Sequence, residues 1–199
     1  MAVDMSLVKK LREQTGIGIL ECKKAILEAN NDFEKAEEIL RKKGFEKAKS
    51  KSSRVTKNGA IGSYIHSNSR IGVLLELACE TDFVAKNEDF LQLRKDLCMQ
   101  IAAMSPKYIS EKDIPEAVIE KEREIYKEQM KNSGKPDNII DKIVDGKIKK
   151  FQKEVCLLHQ GFFKDEKTSI EKLIAEKIHK LGENIVVKRF IRYQIGEEL

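Results

Sequence analysis

The run Ile71-Gly72-Val73-Leu74-Leu75-Glu76-Leu77-Ala78-Cys79-Glu80-Thr81-Asp82-Phe83-Val84-Ala85-Lys86-Asn87 decides the fold class. In its first half Ile71, Val73, Leu75, Leu77 and Cys79 fall on one face, because successive side chains of a strand point to opposite sides. At Glu80 the alternation stops. Helical spacing takes over through Phe90, Leu91, Leu97 and Ile101 to Met104.

Working outward, Ile61, Ser63 and Ile65 alternate with Gly62 and Tyr64, and Ser67-Asn68-Ser69-Arg70 is turn chemistry, so the two runs form an antiparallel hairpin. Near the C-terminus Ile185, Val187, Ile191, Tyr193 and Ile195 share a face and read as a third strand. Before it, Thr168 and Glu171 make a capping box for a helix carrying Ile170, Leu173, Ile174, Ile178 and Leu181, and Gly182 sits where a C-terminal glycine belongs. About three strands covered by helices make an α+β core, and the strands are so far apart in sequence that one domain must span 59–199. Within it, Pro106 and Pro115 bracket a loop. A charged helix runs from Glu116 to Lys131, Gly134-Lys135-Pro136 breaks it, and Asp137 caps a second helix with Ile140, Ile143, Val144, Phe151 and Val155. Residues 115–155 therefore form a helical hairpin, either a projecting arm or a lid on the sheet.

Residues 1–46 read as a three-helix bundle. Ser6 caps the first helix, Thr15-Gly16-Ile17-Gly18 interrupts it, and Asn31 with Glu34 caps the third, which stops near Gly44. Residues 47–58, rich in Lys and Ser, read as a basic, solvated linker that can continue helically at its start.

Composition narrows the function. Hydrophobic residues make up 41% of the 199, which excludes a disordered chain, and no apolar run reaches the roughly 20 residues needed to span a bilayer. The first ten residues lack a hydrophobic signal core, so the expectation is a soluble cytoplasmic protein. The net charge of +5 is spread over both signs, with only Lys47–Lys57 conspicuously basic. Cys22, Cys79, Cys98 and Cys156 are widely spaced and read as buried thiols; with His66, His159 and His179 they show no zinc spacing, and no metal or cofactor is expected. There is no Walker loop and no GxSxG, and Gly16-Ile17-Gly18 lacks the strand and third glycine of a dinucleotide site. The expectation is a protein that acts by binding, not an enzyme.

Two segments carry a resemblance. Leu11-Arg12-Glu13-Gln14-Thr15-Gly16-Ile17-Gly18-Ile19-Leu20-Glu21-Cys22-Lys23-Lys24-Ala25, and Glu76 through Asn87 with its TDFVAKN string, resemble the elongation factor Ts family in a short bacterial-type form. Tyr64-Ile65-His66, Ser133-Gly134-Lys135-Pro136, Gln160-Gly161-Phe162 and Phe190-Ile191-Arg192-Tyr193 are similar too, so the likeness covers essentially the whole chain. Ala78 stands where the family usually carries Asn, and Ile26 where Leu is usual. The resemblance implies a guanine-nucleotide exchange factor that binds elongation factor Tu, GDP-bound and nucleotide-free, and releases GDP by disrupting its magnesium site. It assigns magnesium dislocation to Thr81, Asp82, Phe83 and Val84, with Phe83 entering a pocket of the partner. It assigns partner binding to Leu11, Leu20, Lys23 and His66. Longer relatives hold two related core halves, so a homodimer is expected of a short chain. From the residues alone, Phe83 reads as a core side chain and Asp82 as a helix cap, and Leu11 and Leu20 are either bundle core or contact. Two rivals are an RNA-binding accessory protein, which lacks the paired strand aromatics of an RNA-binding sheet, and an adaptor built on the N-terminal bundle, which leaves TDFVAKN unexplained. No direct role with nucleic acid or membrane is expected.

Overall fold

A computed structural model describes residues 3–131 and 136–197. It opens with three helices, α1 (Met5–Thr15), α2 (Ile19–Glu28) and α3 (Phe33–Lys51), which enclose a small core of Val8, Leu11, Cys22, Ala25, Ile26, Ala36 and Leu40. β1 (Asn58–Ile65), β2 (Ile71–Cys79) and β5 (Ile185–Gln194) form one antiparallel sheet with β2 in the middle. Along the chain between β2 and β5 come α4 (Asp82–Ala85), α5 (Glu88–Met104), α6 (Glu116–Met130), α7 (Asp137–Val155), the short pair β3 (Gly161–Phe162) and β4 (Asp165–Ser169), and α8 (Ile170–Leu181). The fold is α+β, as expected.

The main core lies between the sheet and two helices. Val73, Leu75, Leu77 and Cys79 from β2 meet Phe90, Leu93, Leu97 and Ile101 from α5, and Ile170, Ile174 and Ile178 from α8. Among the described residues no helix packs on the other sheet face. Ile61, Ile65, Leu74, Ile191 and Tyr193 stand on it, each 40–66% exposed.

That face departs from the sequence reading. Glu76 pairs with Arg189 but Leu77 with Val187, so β5 carries one extra residue, Lys188, as a bulge. A bulge shifts the period by one. Ile185 and Val187 point into the core, whereas Ile191 and Tyr193, expected on the same face as them, point out, and Phe190 takes the inner place.

Helix ends are displaced by a residue or two. The caps are Asp4, Asp32 and Ser169, not Ser6, Asn31 and Thr168. Asn30 and Asn31 are left-handed, with φ of 53° and 65°, which pushes the cap onto Asp32, and Thr168 is buried in β4. Asp137 is the first residue of α7, after the N-cap Pro136. The α6–α7 pair is a projecting arm: the helices pack on each other and, at the base, on the turn Leu157–His159. Arg123–Asp145 and Lys127–Asp141 pairs tie them together. Gln160 anchors the base by donating to the carbonyls of Glu154 (2.7 Å) and Met104 (3.3 Å). Of the family-like Ser133-Gly134-Lys135-Pro136 break, residues 133–135 lie outside the described residues.

α3 does not stop near Gly44. It continues to Lys51, so the first five residues of the basic 47–58 stretch are helical. The extension packs on α8, and Gly44 is buried where they cross: a Cβ there would lie 3.3 Å from His179 Nδ1. Glycine reads as a helix stop in sequence, but here it is a point of close approach. Gly44→Ala should leave the melting temperature nearly unchanged, since about 0.8–1 kcal/mol of helix propensity offsets the tight contact. Gly44→Val adds methyls at the crossing and should cost about 1–3 kcal/mol; thermal unfolding of both variants checks this.

Candidate functional site

After β2 the chain turns through Glu80 and Thr81 into α4. Thr81 is extended (φ −123°, ψ 160°), and its Oγ1 accepts from the Val84 amide at 3.4 Å. α4 is a single turn, so its side chains divide. Val84 and Ala85 pack on the core, while Asp82 and Phe83 face solvent. Phe83 is 83% exposed, the highest value among the large apolar side chains described. The core-residue reading of Phe83 is therefore excluded for the free chain. Asp82 pairs with Lys86 at 2.8 Å, and the hydrogen bond and charge of that lysine hold its carboxyl below the usual carboxylate range.

A single exposed apolar side chain is ordinary. What distinguishes Phe83 is how firmly the turn before it is held. Glu183, between α8 and β5, reaches across: its Oε2 accepts from the amides of Glu80 (3.1 Å) and Thr81 (3.0 Å), and its Oε1 from the Thr81 hydroxyl (2.6 Å). The Asn184 amide donates to Glu80 Oε1 at 2.6 Å, and Asn58 Nδ2 to the Glu80 carbonyl at 2.8 Å. The Cys79 thiol donates to the Thr81 carbonyl at 3.1 Å; burial, reinforced by the Glu183 charge, pushes this thiol up to about 11, so it stays a neutral donor.

The second region is the outer face of α2. Leu20 is 72% and Leu27 51% exposed; seven residues apart, they share a stripe with exposed Lys23 nearby. Leu11 is fully buried in the bundle core, which corrects its assignment to the partner surface: it supports α2 from behind. Glu21, beside Leu20, fixes this face to the rest of the molecule. His179 Nε2 on α8 donates to Glu21 Oε2 at 2.5 Å, and Lys47 on α3 donates to Oε1. Burial alone would raise the Glu21 carboxyl, but the hydrogen bonds and charges of Lys47 and His179 outweigh it and hold it below its usual value.

α8 thus connects the two regions: His179 holds the α2 end, and Glu183, four residues on, holds the Phe83 turn. His66 is elsewhere. It follows β1 at the hairpin end, half-buried, with the Tyr64 hydroxyl 3.0 Å from its Nδ1. The length of β2 separates it from Thr81, about 25 Å at the rise of a strand. The structure therefore ties the α2 face of Leu20 and Lys23, through Glu21 and His179, to the same end of α8 whose following Glu183 holds the Thr81–Val84 turn, and leaves His66 at the far end of the sheet. Sequence reasoning misses Asn58, Glu183 and Asn184, because their partners are distant in the chain and no local pattern announces them. Leu27 was readable from its seven-residue spacing to Leu20.

Among the described residues no cluster of His, Cys, Asp or Glu could hold a metal ion, and no helix is long and apolar enough to cross a membrane. A family model described as Elongation factor TS matches residues 6–197. Curated proteins named Elongation factor Ts are similar over nearly the whole chain. One from Thermodesulfovibrio yellowstonii is 56% identical over 197 residues (99% of this chain, 98% of that protein). One from Thermoanaerobacter sp. (strain X514) is 54% identical over 195 residues (98% and 96%). One from Thermotoga neapolitana is 54% identical over 198 residues (100% of each).

The Glu21 interlock has a defined pH signature. A depressed folded-state value means that its stabilisation is complete above the reference value of 4.5 and is lost as pH falls through the lower folded value. Glu21→Gln should lower the melting temperature at neutral pH, and the difference from the unaltered chain should close in acid, as pH falls from 4.5 through the depressed folded value. Thermal melts of both proteins across that range measure it.

Proposed function

The chain belongs to the elongation factor Ts family, and from that premise we propose that its Phe83 turn is the element that loosens magnesium and GDP on elongation factor Tu. The chain is a nucleotide exchange factor for elongation factor Tu in translation elongation, and it acts without covalent chemistry. Exchange then follows from reciprocity: a ligand that weakens nucleotide binding is itself weakened by nucleotide, by the same factor.

The observation that carries the reading is the exposed Phe83 on a turn held by the Glu183 carboxylate. Burying its ring in a partner is worth about 1.5–3 kcal/mol, one to two decades in affinity. Only a ring buried in the nucleotide-free state and not in the GDP-bound state contributes to the coupling. Thr81 and Val84 hold the turn, one as cap and the other as core anchor. Asp82 carries a negative charge to the metal site, where it competes for groups that hold magnesium. Leu20, Leu27 and Lys23 dock the bundle, with the lysine mainly tuning the rate of encounter. His66 contacts the partner at a second place, at the far end of the sheet. The bundle of 1–46 and the core of 59–199, including the arm of 115–155, serve as two holding points. We place the protein in the cytoplasm, where its partner works.

Phe83→Ala should lower the rate of fluorescent GDP release from elongation factor Tu by about 10- to 100-fold with an unchanged melting temperature. Stopped-flow fluorescence at saturating factor measures it, and an unchanged release rate would refute the Phe83 reading.

A homodimer is the second element of the proposal. The helix-free sheet face with Ile61, Ile65, Leu74, Ile191 and Tyr193 supports it, because a contiguous apolar patch on a soluble chain marks an interaction surface. A second copy seated face to face would bury it as in a two-sheet sandwich. Sedimentation should give a dimer, and Leu74→Glu should give a folded monomer; a monomeric unaltered chain at working concentration contradicts the dimer.

A further inference from the structure

We infer that Glu183 is a positioning residue for nucleotide release: its carboxylate sets the geometry in which Phe83 meets the partner. The inference rests on the reading of Phe83 as the element that acts on elongation factor Tu. Glu183 itself need not touch the partner.

The amides of Glu80 and Thr81 fall between the end of β2 and the start of α4, so neither the sheet ladder nor the helix supplies them with an acceptor. One carboxylate satisfies both, and with its other oxygen takes the Thr81 hydroxyl. Hydrogen bonds to a charged acceptor are the strong kind. The third bond has a further effect. The Thr81 hydroxyl gives its proton to Glu183, which leaves the oxygen as acceptor for the Val84 amide, the N-cap bond of α4. Phe83 lies inside the turn that this bond closes.

The chain is built to place the carboxylate there. α8 ends at Gly182, whose φ of 78° is the left-handed conformation that glycine adopts without strain. The reversal turns Glu183 back towards the end of β2. Asn184, next in the chain, is nearly fully buried and donates its side-chain amide to the carbonyls of Ser52 (3.4 Å) and Arg54 (3.0 Å). Lys51 donates to the Gly182 carbonyl. The loop that carries Glu183 is thus pinned at both ends, and Glu183 passes that rigidity to the turn. A free turn would have to be ordered at the moment of binding, and that entropy would be subtracted from the work done on the nucleotide. A misplaced ring loses rate without losing its contact area.

The test is a double-mutant cycle in stopped-flow release of fluorescent GDP from elongation factor Tu with magnesium, using Glu183→Ala, Glu183→Gln, Phe83→Ala and the Ala/Ala double variant. Glu183→Ala should lower the release rate at saturating factor about tenfold, with a smaller change in the half-saturating concentration. Glu183→Gln keeps an oxygen for the two amides but turns an NH2, which cannot accept the Thr81 proton, onto the hydroxyl, and should recover only part of the rate. The double variant should be no slower than Phe83→Ala alone, because the two residues act as one unit. A normal rate for Glu183→Ala, or a double-variant loss equal to the product of the single losses, overturns the inference while leaving Phe83 in place. A normal rate for Phe83→Ala overturns the underlying reading instead. If Glu183→Ala melts below the assay temperature, Glu183→Asp, which keeps the charge but falls one methylene short, takes its place with the same expected loss and the same contrary outcome.

Discussion

The carboxylate of Glu183 on the Thr81 turn is the contact through which the rest of the molecule becomes mechanically useful. Around it the end of α8 gathers further contacts. His179 grips Glu21 of the bundle, Lys51 at the end of α3 holds the Gly182 carbonyl, and Asn184 takes the carbonyls of Ser52 and Arg54. The exposed ring of Phe83 and the exposed stripe of Leu20 and Leu27 are therefore joined by one stretch of helix and loop. A partner that binds both is held at two points of a stiff body.

Stiffness matters because the work to be done is a free-energy difference between two states of another protein. The factor supplies no reacting group. It can shift nucleotide affinity only by as much as its contacts differ between the nucleotide-free and the GDP-bound partner. A single ring supplies one to two decades of that. The remainder is assigned, in the proposed reading, to Asp82, the bundle and the His66 end, and contacts spread over a floppy chain would lose it to ordering entropy.

Much of this was legible in the sequence. The alternation from Ile71 to Cys79, its end at Glu80 and the helical spacing beyond gave the strand–turn–helix unit, because periods of 2 and 3.6 are local properties. The string Thr81–Asn87 gave the family. What was hidden depends on contacts distant in sequence. Lys188 looks like one more residue of an alternating run, yet as a bulge it reverses the faces of Ile191 and Tyr193 and creates the apolar surface. Gly44 looks like a stop but is a crossing point under His179. Asp4, Asp32 and Ser169 each have a neighbour equally able to cap, and the path of the chain decides between them. Leu11 and Leu20 are alike in sequence, nine residues apart, and burial alone separates support from contact. Glu183 had no local signature at all.

The central claim is that a side chain open to water in the free protein becomes enclosed by the nucleotide-binding domain of elongation factor Tu. The most direct measurement places a photoreactive benzoylphenylalanine at position 83 and maps its cross-links by mass spectrometry. The account predicts cross-links to that domain in the nucleotide-free complex, sharply reduced when GDP and magnesium are added. Cross-links confined to the factor's own chain, or unchanged by nucleotide, would contradict it.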